Sequence, residues 1–386
     1  MPSSPIRKLV PLADAAKREG VKVYHLNIGQ PDLPTPPDGL EALKHITRTT
    51  LEYSPSEGIL PLRQKISGYY ARFGLEVDPG EIIVTTGGSE AILFSFLACL
   101  DPGDEVVMLE PVYANYISLA QAAGVVVKTV ISRIENGFAL PPVSAFEEAI
   151  TPRTRGILLC NPSNPTGTVY DKEELLQLKE LVLKYNLYLF SDEVYREFVY
   201  NGVPYVSALA LGIPDHVIVI DSMSKRYSAC GIRVGMLVSH NPEVRAAVMK
   251  LCQARLSPPL LGQLVADASI EGDAAYAKAC FEEYKARRDF FIEGLNKIPG
   301  VYSPMPAGAF YTVASLPVES AEDFCRWLLT DFRSGGETVM MAPAAGFYFT
   351  PGMGRNEVRM AYVLKIEDLA RALELLAAAL KAYKSV

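Results

Sequence analysis

The stretch Gly156-Ile157-Leu158-Leu159-Cys160 runs directly into Asn161-Pro162-Ser163-Asn164-Pro165-Thr166-Gly167. Five residues without a charge suit a strand buried on both faces. A polar segment with two prolines cannot continue that strand, so it reads as a loop at the strand's carboxyl end. The same sequence of events recurs. Leu187–Ser191 ends on Asp192-Glu193-Val194-Tyr195, and Val217–Asp221 ends on Ser222-Met223-Ser224-Lys225.

Working outward, further short apolar runs fall at Glu81–Thr86, Glu105–Leu109, Val125–Ile131 and Val234–Val238. Helical patterns lie between several of these runs. Asp171 followed by Glu174 forms a capping-box signature, and Leu175, Leu178, Val182 and Tyr185 then recur at helical spacing. Strands alternating with helices imply an α/β fold with a mostly parallel, seven-stranded sheet. The ends of the chain read differently. A short helical pattern and the proline-rich stretch Pro31–Pro37 occupy the first 45 residues. From about Tyr284 a helical segment leads to shorter strands at Ala309–Val313, Val339–Ala342 and Val358–Tyr362, then to an amphipathic helix with Leu369, Leu373, Leu376 and Leu380 on one face. The expected organisation is a large domain over 46–283 and a smaller α+β domain built from 1–45 and 284–386.

Composition bounds the function. Of the 386 residues 49% are hydrophobic and 21% charged, as in ordinary globular proteins. A net charge of −7 without a lysine/arginine run argues against a nucleic-acid surface. No apolar run approaches the length of a membrane span, and Met1–Gly20 lacks the apolar segment of a secretory signal. The six cysteines form no CxxC pair and read as reduced thiols, so the expected location is the cytoplasm. The four histidines show no ligand spacing, and no metal is expected.

In a parallel α/β sheet, ligands sit beyond the carboxyl ends of the strands. Four polar segments far apart in sequence point there: Thr85-Thr86-Gly87-Gly88-Ser89, the Asn161–Gly167 loop, Ser191–Tyr195 and Ser222–Lys225. Alone, each is a turn, a helix cap or a solvated strand end. Together and in this order they resemble the sites of the fold-type I, class I and II aminotransferases, which are aspartate aminotransferase-like. Further matching elements are Asn27-Ile28-Gly29-Gln30-Pro31-Asp32, Tyr53 with Gly58 and Leu62-Arg63, Pro111-x-Tyr113-x-x-Tyr116, Gly231-x-Arg233-x-Gly235 and Val358-Arg359. The resemblance runs from about residue 5 to 380.

That resemblance implies a pyridoxal phosphate (PLP) enzyme moving an amino group between an L-amino acid and a 2-oxo acid by a ping-pong mechanism. It implies that Lys225 forms the Schiff base with the PLP aldehyde and shuttles the α-proton, with its pKa depressed by Arg233 and partial desolvation. Asp192 is then the partner of the ring nitrogen, Asn164 and Tyr195 donors to the ring oxygen, and Tyr113 the stacking aromatic. Gly88, Ser89, Ser222, Ser224 and Arg233 would hold the phosphate. Tyr53 would reach the phosphate of a neighbouring subunit, making the active unit a homodimer with shared sites. Arg359, aided by Asn164 and Gly29, would clamp the substrate α-carboxylate. Arg255 is either a second cation for a distal carboxylate, supplied across the subunit boundary, or a structural arginine. A C–S lyase of the same fold is the alternative reading, because elimination also begins with removal of the α-proton. Ser222-x-x-Lys225 also fits the SxxK of penicillin-binding serine enzymes, but the Ser-Asp element precedes it and no KTG follows.

Overall fold

The computed structural model describes residues 5–383 except 201, 203 and 272. The first four residues of the segment assigned above to the small domain therefore lie outside the described residues. Strand β1 (Lys22–His25) comes first in the chain. Then follow β2 (Ile82–Thr85), β3 (Glu105–Glu110), β4 (Val126–Ile131), β5 (Thr154–Cys160), β6 (Tyr188–Asp192), β7 (Val217–Ser222) and β8 (Gly235–Val238). The last four are β9 (Tyr311–Ser315), β10 (Glu337–Met340), β11 (Ala342–Pro343) and β12 (Glu357–Ala361).

Strands β2 to β8 form one seven-stranded sheet in the order β2-β8-β7-β6-β5-β3-β4. All run parallel except β8, which is antiparallel to both β2 and β7. Alternation along these strands builds a core on each face, because successive side chains point to opposite sides. Ile83, Met108, Leu158, Phe190, Ile220 and Leu237 join one core, which takes in Ile92 and Phe96 of the helix Gly88–Cys99. Val84, Val107, Leu159, Leu189, Val219 and Met236 join the other, with Leu62 and Ile66 of the helix Leu60–Ala71 and Leu175, Leu178 and Val182 of the helix Lys172–Tyr185. Burial of each such side chain contributes roughly 1.5–3 kcal/mol. The expected capping box is present: Glu174 N–H donates to Asp171 Oδ1 at 2.9 Å, and Asp171 N–H to Glu174 Oε2 at 2.8 Å.

The chain ends pair with each other. Strand β1, absent from the sequence reading, lies parallel to β10, with Lys22 opposite Glu337 and His25 opposite Met340. Strand β12 lies between β11 and β9, antiparallel to both. The run expected at Val339–Ala342 is thus divided between two sheets, and the strand expected at Ala309–Val313 begins two residues later. The helix Asp273–Asn296 runs unbroken through residue 284, where the sequence reading placed a domain boundary. The C-terminal helix Ile366–Tyr383 buries Leu369, Leu376 and Leu380 as expected, while Leu373 is half-buried.

Candidate active site

Parallel strands bring the ends of β2, β3, β5, β6 and β7 to one edge of the sheet. The reversed β8 brings its beginning there, so Arg233 and Gly235 stand beside the loops leaving β2 and β7. Strands β9 and β12 and the segment after β1 face this edge across a cavity of about 650 Å³. Its lining includes Gly29, Gly88, Ser89, Tyr113, Asn164 and Asp192. Tyr195, Ser222, Ser224, Lys225, Arg233 and Arg359 complete the expected set around it. Tyr53 is not on this cavity and is 78% exposed.

Local structure explains each placement. Ser222 Oγ accepts from Ser224 N–H at 3.1 Å and caps the single helical turn Met223–Arg226, which carries Lys225. Lys225 Nζ donates to Gly29 O at 3.0 Å and lies 3.9 Å from Cys230 Sγ. Burial pushes the Lys225 amine down, but Tyr311, Cys230 and Tyr113 outweigh it, and the net pKa lies above the ordinary lysine value. The expected depression is therefore corrected. The cation that acts on it most is Arg359, which pushes the amine down. Arg233, in the left-handed conformation at φ 57°, instead donates to Cys230 O at 3.0 Å and Thr86 O at 3.3 Å.

Gly87, at φ 79°, precedes the helix Gly88–Cys99, whose first N–H groups open onto the cavity edge. A Cβ on Gly235 would stand 2.5 Å from Gly87 C, so β8 can approach this turn only as glycine. Ser222 Oγ donates to Ser224 Oγ at 2.9 Å on the same side. Free N–H groups at a helix start, two hydroxyls and an arginine make a donor set suited to a phosphate.

Asp192, at the end of β6, is 5% exposed. Burial raises its pKa to about 6, against the hydrogen bonds from Tyr116 and from Val194 N–H, with Asp221 and Glu193 adding to the rise. Tyr116 OH donates to Oδ2, and Val194 N–H to Oδ1 at 3.3 Å. A carboxylate so buried, with no cationic partner at hydrogen-bonding distance among the described residues, suits a protonated heterocyclic nitrogen. Tyr113 meets Tyr116 edge to face, with ring centroids 5.3 Å apart, and its OH accepts from Asn115 Nδ2 at 2.7 Å.

Asn161 closes the loop carrying Asn164 by accepting from Tyr170 N–H at 3.0 Å and donating to Tyr170 O at 3.3 Å. Asn164 Oδ1 then accepts from Arg359 Nη1 at 3.4 Å. Arg359 is 1% exposed on β12 and also donates to Asn27 O. Its guanidinium covers the rings of Tyr311 and Phe347, 4.7 and 5.2 Å from their centroids. Burial lowers its pKa, yet an arginine stays cationic near neutrality. Its buried Nε has no hydrogen-bond partner, and no carboxylate pairs with it among the described residues. Such a cation suits an incoming carboxylate.

Tyr311 was missing from the sequence reading. Its OH bonds Tyr195 OH at 3.0 Å and donates to Gly29 O at 3.2 Å. Tyr116 stood in a quoted motif without a role; its spacing of three residues from Tyr113, which holds the N-cap position of the helix Ala114–Ala122 carrying it, was the available signal. Arg255 is braced within this chain. Its Nη1 lies 2.5 Å from Glu90 Oε2, and Nη2 donates to Ser56 O at 2.6 Å. The same Glu90 oxygen accepts from Thr86 N–H at 2.7 Å, bracing the turn that Arg233 also holds.

The model of aminotransferase class I and II matches residues 21–376. The aspartate/prephenate aminotransferase of Thermus thermophilus is 33% identical over 364 residues, covering 93% of this chain and 91% of that protein. Among solved structures, the aspartate aminotransferase of Thermotoga maritima matches with a TM-score of 0.89 and 32% identity, covering 98% of each chain. The alanine aminotransferase of Pyrococcus furiosus matches with the same TM-score and coverage at 31% identity.

Proposed function

The chain belongs to the class I and II aminotransferases, a PLP-dependent family of fold type I, and from that premise we propose how its own residues carry out amino transfer. When bound, PLP supplies an aldehyde that takes up the amino group and a ring that accepts the electrons left on the substrate α-carbon.

Lys225 holds the cofactor through Nζ and, once released, carries the proton to and from the α-carbon. Asp192 keeps the ring nitrogen protonated. Tyr195 and Asn164 would hydrogen-bond the ring oxygen, and Tyr113 would offer its ring face to the cofactor. Gly88 and Ser89 at the helix start, the Ser222 and Ser224 hydroxyls and Arg233 hold the phosphate. Arg359, with Asn164 and Gly29 beside it, orients the α-carboxylate. One observation carries this reading: Arg359 is a buried cation with no carboxylate partner among the described residues, on the same cavity as Lys225. Once the first 2-oxo acid has left, with the amino group retained on the bound cofactor, the same residues would receive a second 2-oxo acid and run the steps backward, which is ping-pong transfer.

The active unit in this proposal is a homodimer in which Tyr53 serves the phosphate of the other subunit. Exposed Leu51, Tyr53, Leu60, Leu256 and Leu261 support it. They surround a loop held in place by Arg255 on Ser56 O and by Gln263 Nε2 on Ser54 Oγ at 2.9 Å, and ordered exposed apolar groups suit a second copy. The same reading places a large domain at 46–283, a small one at 1–45 and 284–386, and the enzyme in the cytoplasm. No helix among the described residues is long and apolar enough to cross a membrane, and the six cysteines are unpaired.

The test is the half-reaction of the purified enzyme with single amino acids, followed by cofactor absorbance and 2-oxo acid formation. Lys225→Ala is expected to abolish both the absorbance of cofactor joined covalently to the lysine and amino transfer. Wild-type levels of either would refute the assignment. Stoichiometric ammonia release in place of transfer would mark elimination.

A further inference from the structure

Four cations and one buried carboxylate line the cavity. Asp192 is the carboxylate; Lys225, Arg233, Arg359 and Arg7 are the cations. The proposed function occupies the first three with the cofactor aldehyde, its phosphate and the α-carboxylate. Arg7 is left. It is exposed, and its side chain has no hydrogen bond, ion pair or ring contact among the described residues. Arg255, the other candidate for a second anion, is already held by Glu90 and Ser56.

Arg7 is not on a loose strand of chain. Asn27, fully buried, donates through Nδ2 to Ile6 O at 3.0 Å, and its own carbonyl accepts from Arg359 Nη2. One residue thus fixes both the segment carrying Arg7 and the guanidinium of Arg359. Pro5 packs on Gly346, where a Cβ would stand 2.4 Å from Pro5 Cβ, and Gly346 adjoins the Phe347 ring under Arg359. The following residues turn into the helix Val10–Arg18, with Val10 N–H donating to Arg7 O at 3.0 Å. The backbone at Arg7 is therefore held in a fixed relation to Arg359, and the residue lines the same cavity.

We propose that Arg7 receives the distal carboxylate of a dicarboxylic amino acid or 2-oxo acid, and that the enzyme prefers such substrates to monocarboxylic ones. The proposal rests on the Arg359 clamp. Two cations on one cavity, their backbones tied through Asn27, suit a substrate with two carboxylates, and an uncharged side chain leaves Arg7 without a partner.

The experiment compares the wild type with Arg7→Met, Arg7→Lys and Arg359→Lys in the reconstituted enzyme. It measures kcat/KM for L-aspartate and L-alanine in the first half-reaction, and the binding of succinate and butyrate by calorimetry. The wild type is expected to favour aspartate. In Arg7→Met the aspartate-to-alanine ratio of kcat/KM should fall about 10- to 100-fold, the size of one charge-assisted contact. Succinate binding should weaken with it, butyrate binding much less, and Arg7→Lys should retain part of the preference. An unchanged ratio, or an equal loss for both substrates, overturns the proposal. Loss of both acids' binding in Arg359→Lys alongside a silent Arg7→Met would leave the clamp standing and remove Arg7. Indifference of both acids to Arg359→Lys would remove the clamp itself.

Discussion

Asp192→Asn separates what this carboxyl does for the cofactor from what it does to the fold. Burial raises its pKa from 3.8 to about 6. The folded protein therefore holds this proton more tightly than the unfolded chain does. The carboxyl costs nothing below pH ~3.8, its cost grows as pH rises through ~6, and at pH 8 it reaches roughly 3 kcal/mol, at about 1.36 kcal/mol per pH unit. Asparagine carries no charge, but its one carbonyl oxygen cannot accept both from Tyr116 and from Val194, which bond different oxygens. One lost hydrogen bond returns about 1 kcal/mol. The cofactor-free variant should thus be more stable than wild type by roughly 2 kcal/mol at pH 8, and the advantage should disappear near pH ~4.5 and reverse below it, where the lost hydrogen bond outweighs the relieved charge. Urea unfolding of both proteins, followed by circular dichroism from pH 4 to 8, measures this directly. In the same variant cofactor affinity and amino transfer should fall, so added PLP should stabilise it less than wild type. A variant less stable than wild type at pH 8, or a difference independent of pH, refutes the argument.

Two further outcomes follow from the same geometry. Arg359→Lys removes the planar fork while keeping a charge, so KM for an amino acid substrate should rise about 10- to 100-fold, with the absorbance of bound cofactor retained; steady-state kinetics with an unchanged KM would remove the clamp. If exposed Leu51, Tyr53 and Leu256 meet a second copy, sedimentation should give a dimer, and Leu256→Glu with Leu261→Glu should yield monomers with weakened cofactor binding. An active wild-type monomer would sink the shared site.

What the sequence made legible was what a short segment encodes by itself. All seven strands of the large sheet announce themselves as short apolar runs; most are buried on both faces, while the edge strand β4 buries only Val127 and Val130. The site residues at their ends follow, since parallel strands share an edge. Strand β1 gave no such signal: Lys22-Val23-Tyr24-His25 is four residues long, with one buried side chain and a partner more than 300 residues away. The pKa of Lys225 was misread for a related reason. Arg233 is eight residues from it in sequence, but a left-handed turn sends its guanidinium to the carbonyls of Thr86 and Cys230. The groups that shift the amine include Tyr311, on a strand from the far end of the chain. Arg255 likewise owes its role to Glu90, and no local pattern connects the two.

These misses share a cause that bears on substrate choice. The residues proposed to hold the cofactor leave the ends of β2, β3, β5, β6 and β7 and the start of β8, so regular strand-end motifs carry them. Of the residues proposed to meet the substrate, Gly29 after β1, Arg359 on β12 and Arg7 before the first helix come from the chain ends, as does Tyr311 on β9 beside them, and only Asn164 belongs to a strand-end loop of the large sheet. The two sets join at few points. Gly29 O accepts from both Lys225 and Tyr311, and Tyr311 OH reaches Tyr195. A side chain at Gly29 has no room, because its Cβ would fall 1.9 Å from the Tyr311 hydroxyl oxygen. With the joint fixed, Arg7 can change without moving the strand ends that hold the cofactor. Cofactor chemistry is therefore written in patterned sequence, and substrate preference in a segment whose meaning appears only once Asn27 has tied it to Arg359.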